Sequence, residues 1–281
     1  MDTFRQFNSD IFPFDIIMSR EDFALPYPLL RSDSGKIPIY CVSPNHGRSF
    51  VVAKSDGRYI ISKGNGLSYT NNNYINTAEM GDDTWGLLLK ADAIRDFTLG
   101  IEIAGYGIKT NNMEYVMELD SPIKLSKNKY LNPVLLQYSV ECPYRICDAA
   151  FMDKNVVEHE TEKWDLLCST KHKQRHLMAA EILIRNLAIL HERHILYNAF
   201  HTQNYTWALE LVDFELACSP KHPYSDEDSM RHVKDLFQRE IIQTYEIINY
   251  IAWCLNEQCN YNEVEHIMKF YGFNLNQYYN E

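Results

Sequence analysis

Much of what this chain lacks narrows its function. It contains no run of about eighteen apolar residues, so no membrane-spanning helix and no membrane partner are expected. Its N-terminus, MDTFRQFNSDIFPFDIIMSRED, has no basic leader and is broken by acids and a proline. No Sec signal is therefore expected, and a cytoplasmic protein is the reading. The seven cysteines (Cys41, Cys142, Cys147, Cys168, Cys218, Cys254, Cys259) form no CxxC pair and no zinc spacing. Their odd number fits buried or free thiols in a reducing compartment. Positive charge is short: 27 Lys and Arg face 38 Asp and Glu, a net charge of −11 that excludes a nucleic-acid backbone as the main ligand. A local basic pocket is a separate matter. His191 and His194 stand three apart where HExxH needs four, and Gly64-Asn-Gly66 is not followed by the GK[ST] of a phosphate-binding Walker loop. Asp226-Glu-Asp228 reads as a helix start rather than a calcium loop. No internal repeat is present.

What remains is a globular composition, 46% hydrophobic and 23% charged, long enough for one large domain or two lobes. Residues 1–36 read as an irregular N-terminal extension interrupted by Pro13, Pro26 and Pro28. Three strand-like runs follow, Ile37–Val42, Ser49–Lys54 and Arg58–Lys63, separated by turn residues in the manner of an antiparallel meander. From about Thr84, Leu88, Leu89, Ile94, Phe97, Ile101 and Ala104 recur at helical spacing, and Gly105-Tyr-Gly107 ends the helix. Ile108–Thr110 and Tyr115–Leu119 read as two further strands, with a hinge at Asp120-Ser-Pro122. Leu131–Cys147 has strand character, and Glu158–Leu167 fits loop or helix. Gln174–His191 is a strongly amphipathic helix, and two more helices, from about Asp226 to Leu255 and from Glu263 to Tyr271, close the chain. The expectation is an α+β, protein-kinase-like two-lobed fold. Its small antiparallel-sheet lobe with one helix would span 37–120, and its mainly helical lobe 121–281.

The stretch Tyr197–Ala217, YNAFHTQNYTWALELVDFELA, carries the chemistry. Asn204 and Asp213 lie nine positions apart, with the apolar run Ala208–Val212 reading as a buried strand that leads into Asp213. An Asn ending a loop and an Asp ending the next strand can offer two oxygens to a hard cation that also holds a nucleotide's phosphates. Upstream, Lys63 at a strand end could supply a charge to those phosphates. Singly, each residue has a plainer reading: a solvated lysine, a surface Asp96, a loop Asn204, a turn-forming Asp213.

Four segments in order carry a resemblance to the selenoprotein O family. Ile94–Thr110, IRDFTLGIEIAGYGIKT, resembles that family's IREFLxSEAMxxLGIPT helix without a gap. Lys63-Gly-Asn-Gly-Leu-Ser-Tyr-Thr70 is similar to KGxGxTPYSR, and Thr202-Gln-Asn204 with Asp213-Phe214 is similar to the TDN…DYG pair at the same nine-residue interval. Arg145, in Cys142-Pro-Tyr-Arg145, resembles the second of two phosphate-binding arginines. The resemblance implies a kinase-like fold that binds Mg²⁺ (or Mn²⁺) and ATP and transfers AMP to Ser, Thr or Tyr hydroxyls of a protein substrate. Lys63 would hold phosphate, paired with Asp96 in place of the family's Glu. Asn204 and Asp213 would bind the metal, Gly64 and Arg145 would contact the nucleotide, and Lys63, Asp96 and Asp213 would be catalytic. A conventional kinase places a base five residues before the metal-binding Asn; that position is Ala199. The chain departs from the pattern at Gln203 and Glu215, and it lacks the family's long C-terminal half with its terminal selenocysteine or cysteine. The alternatives are an atypical protein or small-molecule kinase, and an inactive pseudokinase serving as an interaction module.

Overall fold

The computed structural model describes residues 4–20, 25–32, 34–43, 47–65, 86–126, 129–223 and 233–273. They form two compact units: Met1–Ile101 with Asn111–Pro143, and Glu102–Thr110 with Tyr144–Glu281. Strands dominate the first and helices the second, so the α+β class holds.

Unit one carries β1 (Arg5–Ile11), β2 (Phe14–Ser19), β3 (Leu29–Arg31), β4 (Ile37–Cys41), β5 (Ser49–Ser55), β6 (Arg58–Lys63), β7 (Asn112–Leu119), β8 (Ile123–Ser126), β9 (Lys129–Leu131) and β10 (Val134–Val140). Helix α1 (Lys90–Ala104) lies between β6 and β7 in sequence, and its expected onset near Thr84 lies outside the described residues. Eight strands form one antiparallel sheet in the order β2-β7-β10-β6-β5-β4-β1-β3, and β8 pairs with β9 separately. The expected meander is present as β4, β5 and β6. The first 36 residues, by contrast, are no irregular extension, since they supply β1, β2 and β3. Pro13, Pro26 and Pro28 fall between these strands, where a missing N–H costs no ladder bond. The expected hinge at Asp120–Pro122 falls inside unit one, because β10 follows it and pairs with both β6 and β7. The expected strand at Ile108–Thr110 reduces to a single bridge from Thr110 to Leu211.

The sheet must curl. β1 and β2 are joined by two residues, Phe12 and Pro13, yet they stand six places apart in the strand order. On a flat sheet six strand spacings would span roughly 29 Å, while three residues from Ile11 to Phe14 reach at most about 10 Å. Only an open barrel satisfies both. The packing agrees: Leu30 of β3, from one edge of the order, shares a cluster with Tyr115, Met117 and Leu119 of β7 and Leu135 of β10, flanked by Phe12 and Phe14. Gln137 of β10 ties the same closure from inside. Its Oε1 accepts from Tyr27 N at 2.8 Å, and its Nε2 donates to Leu25 O at 3.0 Å and to Glu114 Oε2 at 2.8 Å. Gln137→Ala strands the buried Glu114 carboxylate and two backbone groups, each worth about 1–3 kcal/mol. The expected outcome is a stability loss of about 3 kcal/mol with faster hydrogen exchange at the Tyr27 amide; unchanged exchange there would show that the closure does not depend on this side chain.

Unit two is built on α2 (Lys154–Glu162), α3 (Arg175–Glu192), α4 (Val233–Cys254) and α5 (Tyr261–Phe270). α3 buries Leu177, Ala180, Ile184, Leu187 and Leu190 of the face its periodicity predicts, while Ile189, expected on the same face, is half-buried. Glu158–Leu167 resolves into the end of α2 and a 3-10 turn, Lys163–Leu167. Residues 66–85 and the 226–228 acidic run lie outside the described residues. Among the described residues no helix is long and apolar enough to cross a membrane, and none of the seven cysteines is in a disulfide.

The N-cap of α3, Gln174, makes no side-chain cap. Glu257, from the connection between α4 and α5, does that work instead, accepting from Arg175 N at 3.1 Å, His176 N at 3.0 Å and His176 Nδ1 at 2.6 Å. Since His176 Nε2 accepts from Asn260 N at 3.2 Å, the ring is fixed in its Nδ1–H tautomer. Burial pushes the Glu257 carboxyl up, but these donors pull it below the usual carboxylate range. Folded Glu257 thus binds its proton less readily than unfolded Glu257. Its stabilisation is complete above the unfolded pKa of roughly 4.3 and drains away as pH falls from there through the lower folded pKa. Glu181, held down in the same way by Ser169, Thr170 and His172 against its own burial, adds in the same sense. Glu257→Gln should therefore give a shallower fall of the urea midpoint below about pH 5 than wild type; an identical slope would remove Glu257 from the acid response.

Candidate functional site

Lys63 closes β6, a strand hydrogen-bonded on both sides: it faces Ser49 of β5 and Leu136 of β10. The chain then turns at Gly64, with φ of +101°, a region where a side chain is strained. A Cβ there would lie 2.5 Å from Val134 O. Gly64 N donates to Arg48 O at 3.0 Å, so the glycine shapes the turn while its amide is already engaged. Buried Asn65 completes it, accepting from Arg31 N at 3.1 Å and donating to Ser62 Oγ at 2.6 Å. The first 36 residues therefore brace the lysine's turn through Arg31.

Asp96 lies on α1 beside Phe97, both buried. The structure brings Lys63 Nζ to 2.6 Å from Asp96 Oδ2, with side-chain exposures of 3% and 1%. Neither is the solvated surface residue that its type alone suggests. The short aspartate reaches the lysine because α1 packs its apolar face, Ala93, Phe97, Leu99 and Ile103, fully inward.

In unit two, the run Ala208–Val212 is buried as expected, yet it is not a strand. Leu209 has φ of +56°, and its N–H closes a turn on Thr206 O at 2.9 Å; only isolated bridges, Tyr205 to Leu211 among them, flank it. The loop is pinned instead from several sides. Leu211 N donates to Lys109 O at 2.9 Å and Lys109 Nζ to Ala208 O at 3.0 Å. Ile146 N donates to Tyr205 O at 2.9 Å, Trp207 N to Tyr144 O at 3.1 Å, and the Tyr197 hydroxyl to Val212 O. Buried Glu240 of α4 accepts from Asn198 N and, at 2.8 Å, from His191 Nε2. His191 is thus a helix-end histidine facing a carboxylate, the plain reading of its position.

Asn204 ends the 3-10 turn Thr202–Asn204 and is buried. Its Nδ2 donates to Ala199 O at 3.0 Å, which assigns the amide orientation and leaves Oδ1 as the side chain's available ligand atom. Val212 N donates to Asn204 O at 3.1 Å, placing Asp213 immediately after that link. Asp213 is half-buried with φ of +71°, a backbone state that Asp tolerates better than most residues. One carboxylate oxygen of Glu215 lies within 4.8 Å of one from Asp213. Carboxylate oxygens this close together suit a hard divalent cation. Arg145 reaches the same turn: its Nη1 donates to Gln203 O at 3.2 Å. His201, missed from the sequence, caps that turn, accepting from Gln203 N at 3.3 Å. Its position three residues before Asn204, at the head of a turn, was the signal for it. Burial lowers its pKa, as does Arg145, while Asp213 acts against both.

No family model and no curated protein matches this chain. Among solved structures it is similar to the Toxoplasma gondii specific rhoptry antigen kinase domain, with a TM-score of 0.38 and 12% identity over 84% of this chain and 77% of that one. It is also similar to ROP2 from Toxoplasma gondii, a virulence factor with a protein-kinase fold and no enzymatic activity, with a TM-score of 0.34 and 9% identity over 95% of this chain and 78% of that one. At such scores the similarity assigns this chain no residue roles, and nothing in it bears on the selenoprotein O resemblance.

Removing one partner of a buried ion pair leaves an uncompensated charge, at a cost of about 3–5 kcal/mol, whereas replacing both by apolar groups is often near neutral. Asp96→Ala is expected to fall in that range by chemical denaturation, and the double variant Lys63→Met, Asp96→Leu to be more stable than it. A double variant as unstable as the single would show that the two charges are not coupled.

Proposed function

We propose that this chain is a protein-kinase-like, two-lobed transferase that uses ATP with Mg²⁺ or Mn²⁺ to attach AMP to a Ser, Thr or Tyr hydroxyl of a protein. The observation that carries the reading is the Lys63–Asp96 pair, an ammonium group withdrawn from water and aimed by a carboxylate at 2.6 Å. A buried pair of this kind is a poor device for stability alone. It is a good one for holding a point charge ready for a polyphosphate.

Each residue has a role in this reading. Lys63 binds phosphate oxygens, and Asp96 fixes it. Asn204 Oδ1 and the Asp213 carboxylate hold the cation, with Glu215 within reach of Asp213 as a further oxygen donor. When bound, the cation would spread the negative charge that develops on the phosphates. Arg145 adds a planar donor suited to phosphate. In the transfer, the substrate hydroxyl oxygen bonds to the α-phosphorus, the bond to the bridging oxygen breaks, pyrophosphate leaves with the electron pair, and the hydroxyl proton passes to solvent. The absence of a base at position 199 favours this chemistry over ordinary kinase chemistry: Ala199 supplies only a carbonyl, which accepts from Asn204.

One observation favours a second reading. The Glu215 carboxylate near that of Asp213 raises the cost of bringing phosphate there, as expected of a pseudokinase kept as an interaction module.

ATP labelled at the α- or the γ-phosphate separates these readings. The expected result is α-label retained on protein and reduced to background by Asp213→Ala. Transfer of γ-label instead would make the chain a kinase, and calorimetry without nucleotide binding in Mg²⁺ or Mn²⁺ would leave the interaction module.

A further inference from the structure

A cavity in unit two shares no lining residue with the site above. It measures about 400 Å³ and is lined by Gln174, Gln258, Cys259, Asn260, Tyr261 and Asn262. Small-molecule sites commonly measure roughly 300–1,000 Å³. The walls come from the start of α3, the connection between α4 and α5, and the first turn of α5.

The polar contacts around His176 set the shape of these walls. Glu257 accepts from Arg175 N, His176 N and His176 Nδ1, and Asn260 N donates to His176 Nε2 at 3.2 Å. Gln258 and Cys259 are thus held between two anchors on one fully buried ring. Asn260 also caps α5, its Oδ1 accepting from Glu263 N at 3.4 Å. Tyr261 is fixed by stacking on Tyr245, with centroids 5.9 Å apart, and by donating its hydroxyl to Asn249 Oδ1 at 3.4 Å. Walls fastened in this way lose little freedom on receiving a ligand.

The chemistry of the lining selects that ligand. None of the six side chains carries a formal charge, and burial pushes the Cys259 thiol up, so it stays neutral. Four of the six are carboxamides. Those of Gln174, Gln258 and Asn262 make no hydrogen bond among the described residues. Each offers a donor and an acceptor side by side, the complement of a hydroxyl group, which both gives and takes. The tyrosine ring beside them adds an apolar surface with a polar tip, suited to the C–H face of a sugar ring. A phosphate would find no cationic side chain on these walls, and a metal ion no carboxylate.

We propose that this cavity binds a neutral polyhydroxylated ligand of saccharide type, held by the carboxamides of Gln174, Gln258 and Asn262 with a sugar ring against Tyr261. The site is independent of the nucleotide reading.

The probes are the methyl glycosides of glucose, galactose, mannose and N-acetylglucosamine, each added to the full chain, with glucose 6-phosphate as the charged comparison. In ¹H–¹⁵N spectra at least one glycoside should move the side-chain amide signals of Gln174, Gln258 and Asn262 saturably. Gln258→Ala and Asn262→Ala each remove one partner from an exposed position. Each should raise the dissociation constant of that glycoside about fivefold, with the thermal midpoint unchanged. No shift with any of the four, or saturable shifts that both variants leave untouched, would overturn the site. Tighter binding of glucose 6-phosphate than of every glycoside would overturn the neutral ligand class.

Discussion

A carboxylate taken out of water has to be met by donors or a cation, and in each unit of this chain the places where that happens fasten distant segments. Asp96 meets Lys63 across 33 residues of sequence, and Glu114 meets Gln137 across 23. Glu240 meets His191 across 49, and Glu257 meets His176 N across 81. Glu181 gathers Ser169, Thr170 and His172, the strip that leads into α3. These acids belong to a chain with a net charge of −11, where a surplus of solvated carboxylates would be the simple expectation. The buried ones are chosen by geometry. Three accept backbone N–H groups, at a helix start, at a strained loop entry and at the strip before α3, so their charge completes hydrogen bonding that secondary structure leaves unfinished.

The Tyr197–Ala217 loop shows what such anchoring permits. Asn198, Leu209 and Asp213 all have positive φ. Asn and Asp adopt it at modest cost, whereas for Leu209 it is a real strain, on the order of 1–3 kcal/mol. The surrounding contacts over-determine the loop enough to hold it. Trp164 and Trp207 stack at 5.9 Å and 6°, with Trp164 Nε1 donating to Trp207 O at 2.9 Å, and Tyr197 packs edge-on against Phe200 and Phe214. Aromatic packing fixes the loop from below, and backbone hydrogen bonds to Lys109, Tyr144 and Ile146 fix it from the sides. The result is that Asn204 and Asp213 stand on backbone with little freedom to move, as the cation site proposed above would require.

The sequence conveyed the parts of this arrangement that follow from local chemistry. The β4–β6 meander is bounded by turn residues, α3 by its 3.6-residue period, and α1 by its spacing of Leu, Ile and Phe. The pairing of Lys63 with Asp96 was implied by the selenoprotein O resemblance and not by either residue alone. Two failures have tertiary causes. Residues 1–36 look irregular because prolines separate their strands; β3 has only three residues, and it is a strand because β1 offers it an edge and Leu30 a core. Ala208–Val212 looks like a strand because five successive residues are destined for burial, and pattern cannot show that Leu209 will turn left-handed where no glycine announces it.

The loop's electrostatics constrain the order in which ligands could arrive. Asp213 and Glu215 bring two negative charges within 4.8 Å of each other, and at an effective dielectric near 20 such a pair repels by about 3 kcal/mol before screening by salt and solvent. A phosphate approaching without a cation would add a third like charge. A divalent cation held as proposed above would offset the charge of both acids and offer phosphate oxygens an attractive partner. In the function proposed above, cation and nucleotide would therefore be linked ligands for this loop, each strengthening the other's binding by the repulsion it relieves. Glu215, the residue that departs from the expected glycine, would make that linkage steeper than Asp213 and Asn204 could alone.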